Sequence, residues 1–257
     1  MLSQPGVVVE IHFLLLSMAI TLIAAALTVP AGFGLATMLT PVVLFWLPPH
    51  EAIAVVAIIH GAHNAWKLKV LRLNVDYAAV KRYGWALVVG AIIGAMLHSY
   101  IPSDPLLLVV GLALIILPLL SITERWTNFR LPESEDRIGG FGSGFFGGLT
   151  GHQGALRAMF LQKRLPDKVA YAATASVLAL AVDLTRIPIY LIFEGATILD
   201  EYMLISALVL SAIIGVKLGK VWLVNWQQEK IRLSILIAIV ASGVLYIAEA
   251  TRGLGFW

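Results

Sequence analysis

The chain has 257 residues and a formal net charge of +3; 60% of its residues are hydrophobic, 13% are charged, and its mean hydropathy is +0.90. A soluble domain carries about twice that share of charge, so a soluble enzyme or a nucleic-acid-binding protein is excluded and a lipid bilayer is the expected environment. The absence of cysteine excludes disulfides, thiol catalysis and iron–sulfur clusters.

A membrane-spanning helix needs about 20 mostly apolar residues. The first run of this kind is Val7–Val29. It has no basic start and no small-residue cleavage site, so it reads as a span rather than a signal peptide. Glu10 and His12 fall near its outer end. A glycine-interrupted stretch follows, Ala31-Gly32-Phe33-Gly34-Leu35-Ala36, then the turn Leu47-Pro48-Pro49-His50-Glu51-Ala52. Further spans are expected at Ala52–Lys67, Tyr83–Ile101 and Pro105–Ile122. Ser121–Ile138 is polar, contains Pro132 and mixed charges, and reads as an interfacial connection. Beyond it lie two short apolar pieces, Gly139–Leu149 and Gly154–Gln162. Each is about 13–17 Å long as a helix, half of a hydrocarbon core of about 30 Å, which suits a re-entrant hairpin turning at Gly151–Gly154. Spans at Val169–Phe193, Tyr202–Trp222 and Ile231–Ile247 complete the chain.

The two halves resemble each other. Ala91-Ile92-Ile93-Gly94 recurs as Ala212-Ile213-Ile214-Gly215, and the Leu47–Ala52 turn resembles Leu165-Pro166-Asp167-Lys168-Val169. Lysine and arginine concentrate in Lys67–Arg82, Ser121–Ile138, Lys163–Lys168 and Lys217–Arg232, and are absent from Leu47–Glu51, His98–Asp104 and Glu194–Glu201. Positive connections face the cytoplasm, which puts matching loops of the two halves on opposite sides and both termini outside. The expected fold is therefore an all-α integral membrane protein of two inverted-topology repeats. Each repeat is a glycine-broken or re-entrant segment followed by three transmembrane helices: residues 1–122 form the first, 139–257 the second, and 123–138 the connecting loop. A bacterial-type cytoplasmic membrane, crossed several times, is the expected location.

Backbone broken inside a membrane must be buried in protein or line a cavity, and broken helices in inverted repeats are a mark of secondary transporters. Helix N-termini at such breaks present free N–H groups and a partial positive charge, which suit an anion. Gly32, Phe33 and Gly34 in the first break, and Gly151, His152, Gln153 and Gly154 in the second, are the expected substrate-binding residues, with Arg157 adding a full charge one turn on. Ionisable residues within spans are costly and usually functional. Asp183 and Arg186 share a helix face at i, i+3, with Tyr190 one turn further; the alternative is a self-neutralising structural pair. His60, His63 and Asn64 form a second polar stripe, read as proton-coupling or substrate-bonding groups, with packing histidines as the alternative. No carboxylate or cysteine completes a metal site with the two histidines, so neither metal nor cofactor is expected.

The Gly32–Ala36 run, Pro41 and the Leu-Pro-Pro-His turn at Leu47–His50 resemble the first-repeat signature of the TauE/SafE sulfite exporter (TSUP, DUF81) family. Gly148-Leu149-Thr150-Gly151-His152-Gln153-Gly154-Ala155-Leu156-Arg157 and Asp183-Leu184-Thr185-Arg186 resemble the second-repeat pattern of one of its branches. The resemblance covers almost the whole chain. It implies a secondary transporter that exports a small sulfur-containing or organic anion, such as sulfite, sulfoacetate or a related sulfonate or carboxylate. Leu35, Ala36, His152 and Gln153 depart from the glycine-richest form of the motifs, which leaves open a larger or differently bonded anion than sulfite. The expected partners are the small anion, protons and membrane lipid, with a homodimer left open and no nucleic acid. An anion channel, a non-transporting assembly partner and an intramembrane enzyme are the competing readings; for the last, Ser143 between two glycines has no assignable base.

Overall fold

Apolar segments of this length can satisfy their backbone within lipid only as helices or a closed barrel. The computed structural model describes residues 11–126, 136–165, 167–225 and 228–255; these form ten α-helices and no strand. They are α1 (Ile11–Ala31), α2 (Leu35–Val43), α3 (Pro49–Leu71), α4 (Tyr77–His98), α5 (Ser103–Trp126), α6 (Asp136–Thr150), α7 (Gly154–Arg164), α8 (Lys168–Asp200), α9 (Tyr202–Asn225) and α10 (Gln228–Gly253). Glu10, Pro166 and most of the connecting loop, including Pro132, lie outside the described residues.

Local chemistry sets the helix ends. Pro49 opens α3, where its missing N–H and fixed φ cost nothing. Asp76 and Asp167 cap α4 and α8 by accepting from the amides of Ala79 and Ala170 at 2.8 and 2.7 Å. Gly32 and Gly34 interrupt the chain between α1 and α2, and Gly151 does so between α6 and α7; all three adopt positive φ, which a side chain would strain.

Two boundaries differ from the sequence reading. Glu194–Glu201 is not a free loop, because α8 continues through Pro188 to Asp200. Lys67 is not part of a connection, because α3 runs on to Leu71 with Lys67 buried on its inner face.

Among the described residues four helices are long and apolar enough to cross a membrane: Ile11–Ala31, Tyr77–His98, Lys168–Asp200 and, within α9, Tyr202–Leu223. Helix α3 has the length, about 34 Å, but carries His60, His63, Asn64 and Lys67 on its inner face. The molecule is inside-out relative to a water-soluble protein. Ile192 is 78% and Leu184 65% exposed, whereas Asp183 and Arg186 on the same helix are fully buried.

The principal packing pairs are α4 with α6, α1 with α9, α5 with α10 and α3 with α8. In the α4–α6 pair the backbones touch. A Cβ added at Gly90 or Gly94 would strike the carbonyl oxygens of Phe141 and Phe145, and one at Gly140, Gly144 or Gly148 those of Tyr83, Leu87 and Ala91. On α9, Gly215 and Gly219 meet the carbonyls of Leu22 and Ala26 in the same way. Since lipid gives helices no hydrophobic reason to associate, close contact through small residues is what holds them.

Candidate functional site

The two helix breaks come together. Gly32, Phe33 and Gly34 from the first and Gly151, Gln153 and Gly154 from the second line one cavity. Gly154 faces Phe33 so closely that an added Cβ would lie 2.5 Å from the Phe33 Cβ. An added Cβ at Gly32 would strike the Tyr171 ring, and one at Gly151 would lie 2.9 Å from Arg186 Nη1. Both breaks are thus glycine for space as well as for φ. The cavity is small, with room for roughly one water.

Arg157 lies in the first turn of α7, is 2% exposed and lines the cavity. Its Nη1 donates to Gln153 Oε1 at 2.9 Å. Its Nε, and the Gln153 Nε2, are buried with no hydrogen-bond partner among the described residues. Buried donors are almost always satisfied, so these two are available to a ligand with acceptor oxygens. Arg157 has no ion-pair partner among the described residues.

From α3, His60, His63 and Asn64 also face the cavity. Lys67 faces it too, and the sequence reading did not single it out. Positions 60, 63, 64 and 67 follow i, i+3, i+4, i+7, one face of a helix, so extending the polar stripe by one turn would have found it. Lys67 is 2% exposed and has no ion-pair partner among the described residues.

Asp183, Arg186 and Tyr190 stand one layer behind this wall. Arg186 donates through Nε and Nη2 to Asp183 Oδ1 at 3.1 and 2.8 Å, and through Nη1 to the Gly147 carbonyl at 3.0 Å. The Tyr190 hydroxyl donates to the Gly148 carbonyl. His98 Nδ1 lies 2.9 Å from the Leu149 carbonyl. The last turn of a helix leaves its carbonyls short of partners; at the end of α6 these three side chains bond them, and the Gly147 carbonyl also accepts from the Gly151 amide at 3.1 Å. Asp183 reaches the cavity wall through His60, whose Nδ1 is 2.7 Å from its Oδ2.

Three other residues lie outside the cavity lining. The ring of His152 is buried beside Tyr246. Ser143 is fully buried and its hydroxyl donates to the Gln153 carbonyl at 3.3 Å, tying α6 to the second break. His12 is exposed at the start of α1.

The family model described as Sulfite exporter TauE/SafE matches residues 17–246. No curated protein and no solved structure matches the chain.

Proposed function

The chain belongs to the TauE/SafE sulfite exporter family and is a membrane transporter; from this and the cavity we propose that it exports a small sulfur-containing or organic anion, such as sulfite or a related sulfonate or carboxylate, by proton-coupled alternating access. The observation that carries the reading is the meeting of two helix breaks at a cavity where Arg157, in the first turn of α7, keeps a buried donor without a protein partner. A guanidinium offers an oxyanion a planar two-point contact, and the free N–H groups at the start of α7 add further donors.

The exchanged packing supports two inverted repeats, 1–122 and 139–257. Matching α1–α5 with α6–α10 turns the α4–α6 pair into α9–α1, and returns α3–α8 and α5–α10 to themselves. The lysine- and arginine-rich connections then face the cytoplasm of a bacterial-type cell. A cavity with room for about one water suits a carrier between its open states better than an open pore. Proton coupling rests on His60. Its Nδ1 faces Asp183 Oδ2 at 2.7 Å and its Nε2 lies 3.2 Å from Asn64 Nδ2, so a proton carried on the ring would be balanced by the carboxylate behind it.

Purified protein in liposomes separates carrier from channel. A carrier preloaded with unlabelled sulfite takes up external labelled sulfite transiently above equilibrium, and an inward or outward proton gradient changes the rate. Flux that rises linearly with concentration and shows no counterflow would mean a channel.

A further inference from the structure

The cavity also carries information about the charge of its ligand. Among the described residues its wall holds two formal cations, Lys67 on α3 and Arg157 on α7, and no carboxylate. Asp183 does not neutralise them, because its Oδ1 takes both bonds from Arg186 while its Oδ2 faces His60. Each of the two free cations is 2% exposed, and a buried charge is expensive unless paired. Two charges of the same sign in one cavity also repel each other. A ligand with a single negative charge would leave one cation uncompensated, whereas a doubly charged one would match both.

Resting on the anion-transport reading above, we infer that the cavity selects doubly charged oxyanions, and that Lys67 is the residue that sets this preference. Arg157 and Lys67 come from different walls. The guanidinium therefore holds one edge of the anion with its fork, and the Lys67 ammonium, a compact point charge on a flexible stem, takes an oxygen on another side. The N–H groups at the start of α7 are common to singly and doubly charged ligands and do not discriminate. Neither do His63 and Asn64 while neutral.

The test uses two anions of similar shape and different charge. Thiosulfate and methanesulfonate both present three sulfonate oxygens around sulfur, but the first carries two charges and the second one; sulfite at alkaline pH is a further dianion. Affinities are measured by calorimetry on the purified full-length protein. The parent should bind thiosulfate and sulfite at least about tenfold tighter than methanesulfonate, the range of a charged hydrogen bond. Lys67→Met should lose that preference, chiefly by weakening the dianions, with methanesulfonate changed less than about twofold. Lys67→Arg should restore it, which a role confined to packing would not produce, and melting curves confirm that each variant is folded. If Lys67→Met keeps the parent's preference, or the parent prefers methanesulfonate, the inference is overturned while the anion site stands. If the parent binds none of the three, the anion-site reading falls and the inference with it.

Discussion

Asp183 Oδ2 stands 2.7 Å from His60 Nδ1, joining α8 to the cavity-facing stripe of α3. The Arg186 guanidinium takes the other oxygen of Asp183 at 2.8 Å, and a carboxylate so paired can only accept. The hydrogen of neutral His60 is therefore on Nδ1. The charge pair that stood out in the sequence fixes the tautomer of a residue on the cavity wall.

Removing one member of a buried ion pair strands the other, at a cost of about 3–5 kcal/mol. Asp183→Ala and Arg186→Ala should each lower the melting temperature sharply or abolish folding. The double variant should recover much of the loss, although the Gly147 carbonyl loses its side-chain donor and keeps only the Gly151 amide. Thermal unfolding of the three proteins decides this, and single variants as stable as the parent would show that the pair does not hold the break.

The α4–α6 contact predicts a contrast between glycines. Gly144→Ala drives a methyl into the Leu87 carbonyl, whereas Gly195 on α8 has nothing within 4 Å of an added Cβ. Overpacking costs about 1–3 kcal/mol, and alanine in an open helical position is favoured by up to about 1 kcal/mol. Gly144→Ala should therefore melt several degrees lower, and Gly195→Ala at or above the parent. Equal melting temperatures would contradict the backbone-to-backbone packing.

At the second break, Gly154→Val would push Phe33 aside and part the two breaks. Anion affinity should fall by more than about tenfold, with a smaller effect on stability, if these helix ends hold the ligand. Calorimetric titration of the folded variant checks this; unchanged affinity would take the breaks out of the site.

The inverted arrangement predicts sidedness. With no native cysteine, a single Ala196→Cys should react with an impermeant maleimide in intact cells, and Lys168→Cys only after permeabilisation. The reverse order for either residue would contradict the topology.

Much of this was legible in the sequence because lipid imposes severe rules. Long apolar runs had to be helices, and glycines between short runs had to be breaks. Arg157 was legible because a charge next to a break has few structural uses. Lys67 was missed because a lysine at the end of an apolar run reads first as a loop residue, and only its register with His60 reveals the buried face. Asp183, Arg186 and Tyr190 were legible as a cluster, but their service to the last carbonyls of α6 depends on packing between distant segments. The end of α8 was misjudged because Glu194, Asp200 and Glu201 look like a loop, although a helix leaving the membrane carries such residues without ending.

Binding of the transported anion by Arg157 is measured most directly by thermal unfolding of purified parent and Arg157→Ala protein across a sulfite titration. A ligand at about 100 times its Kd stabilises by about 2.7 kcal/mol, so the parent should show a saturable rise in melting temperature. In the folded Arg157→Ala variant the same rise should need about ten- to a hundredfold more sulfite, and Arg157→Lys should fall between the two. A parent that sulfite and related oxyanions leave unstabilised, or an Arg157→Ala variant with an unchanged titration, would contradict the account.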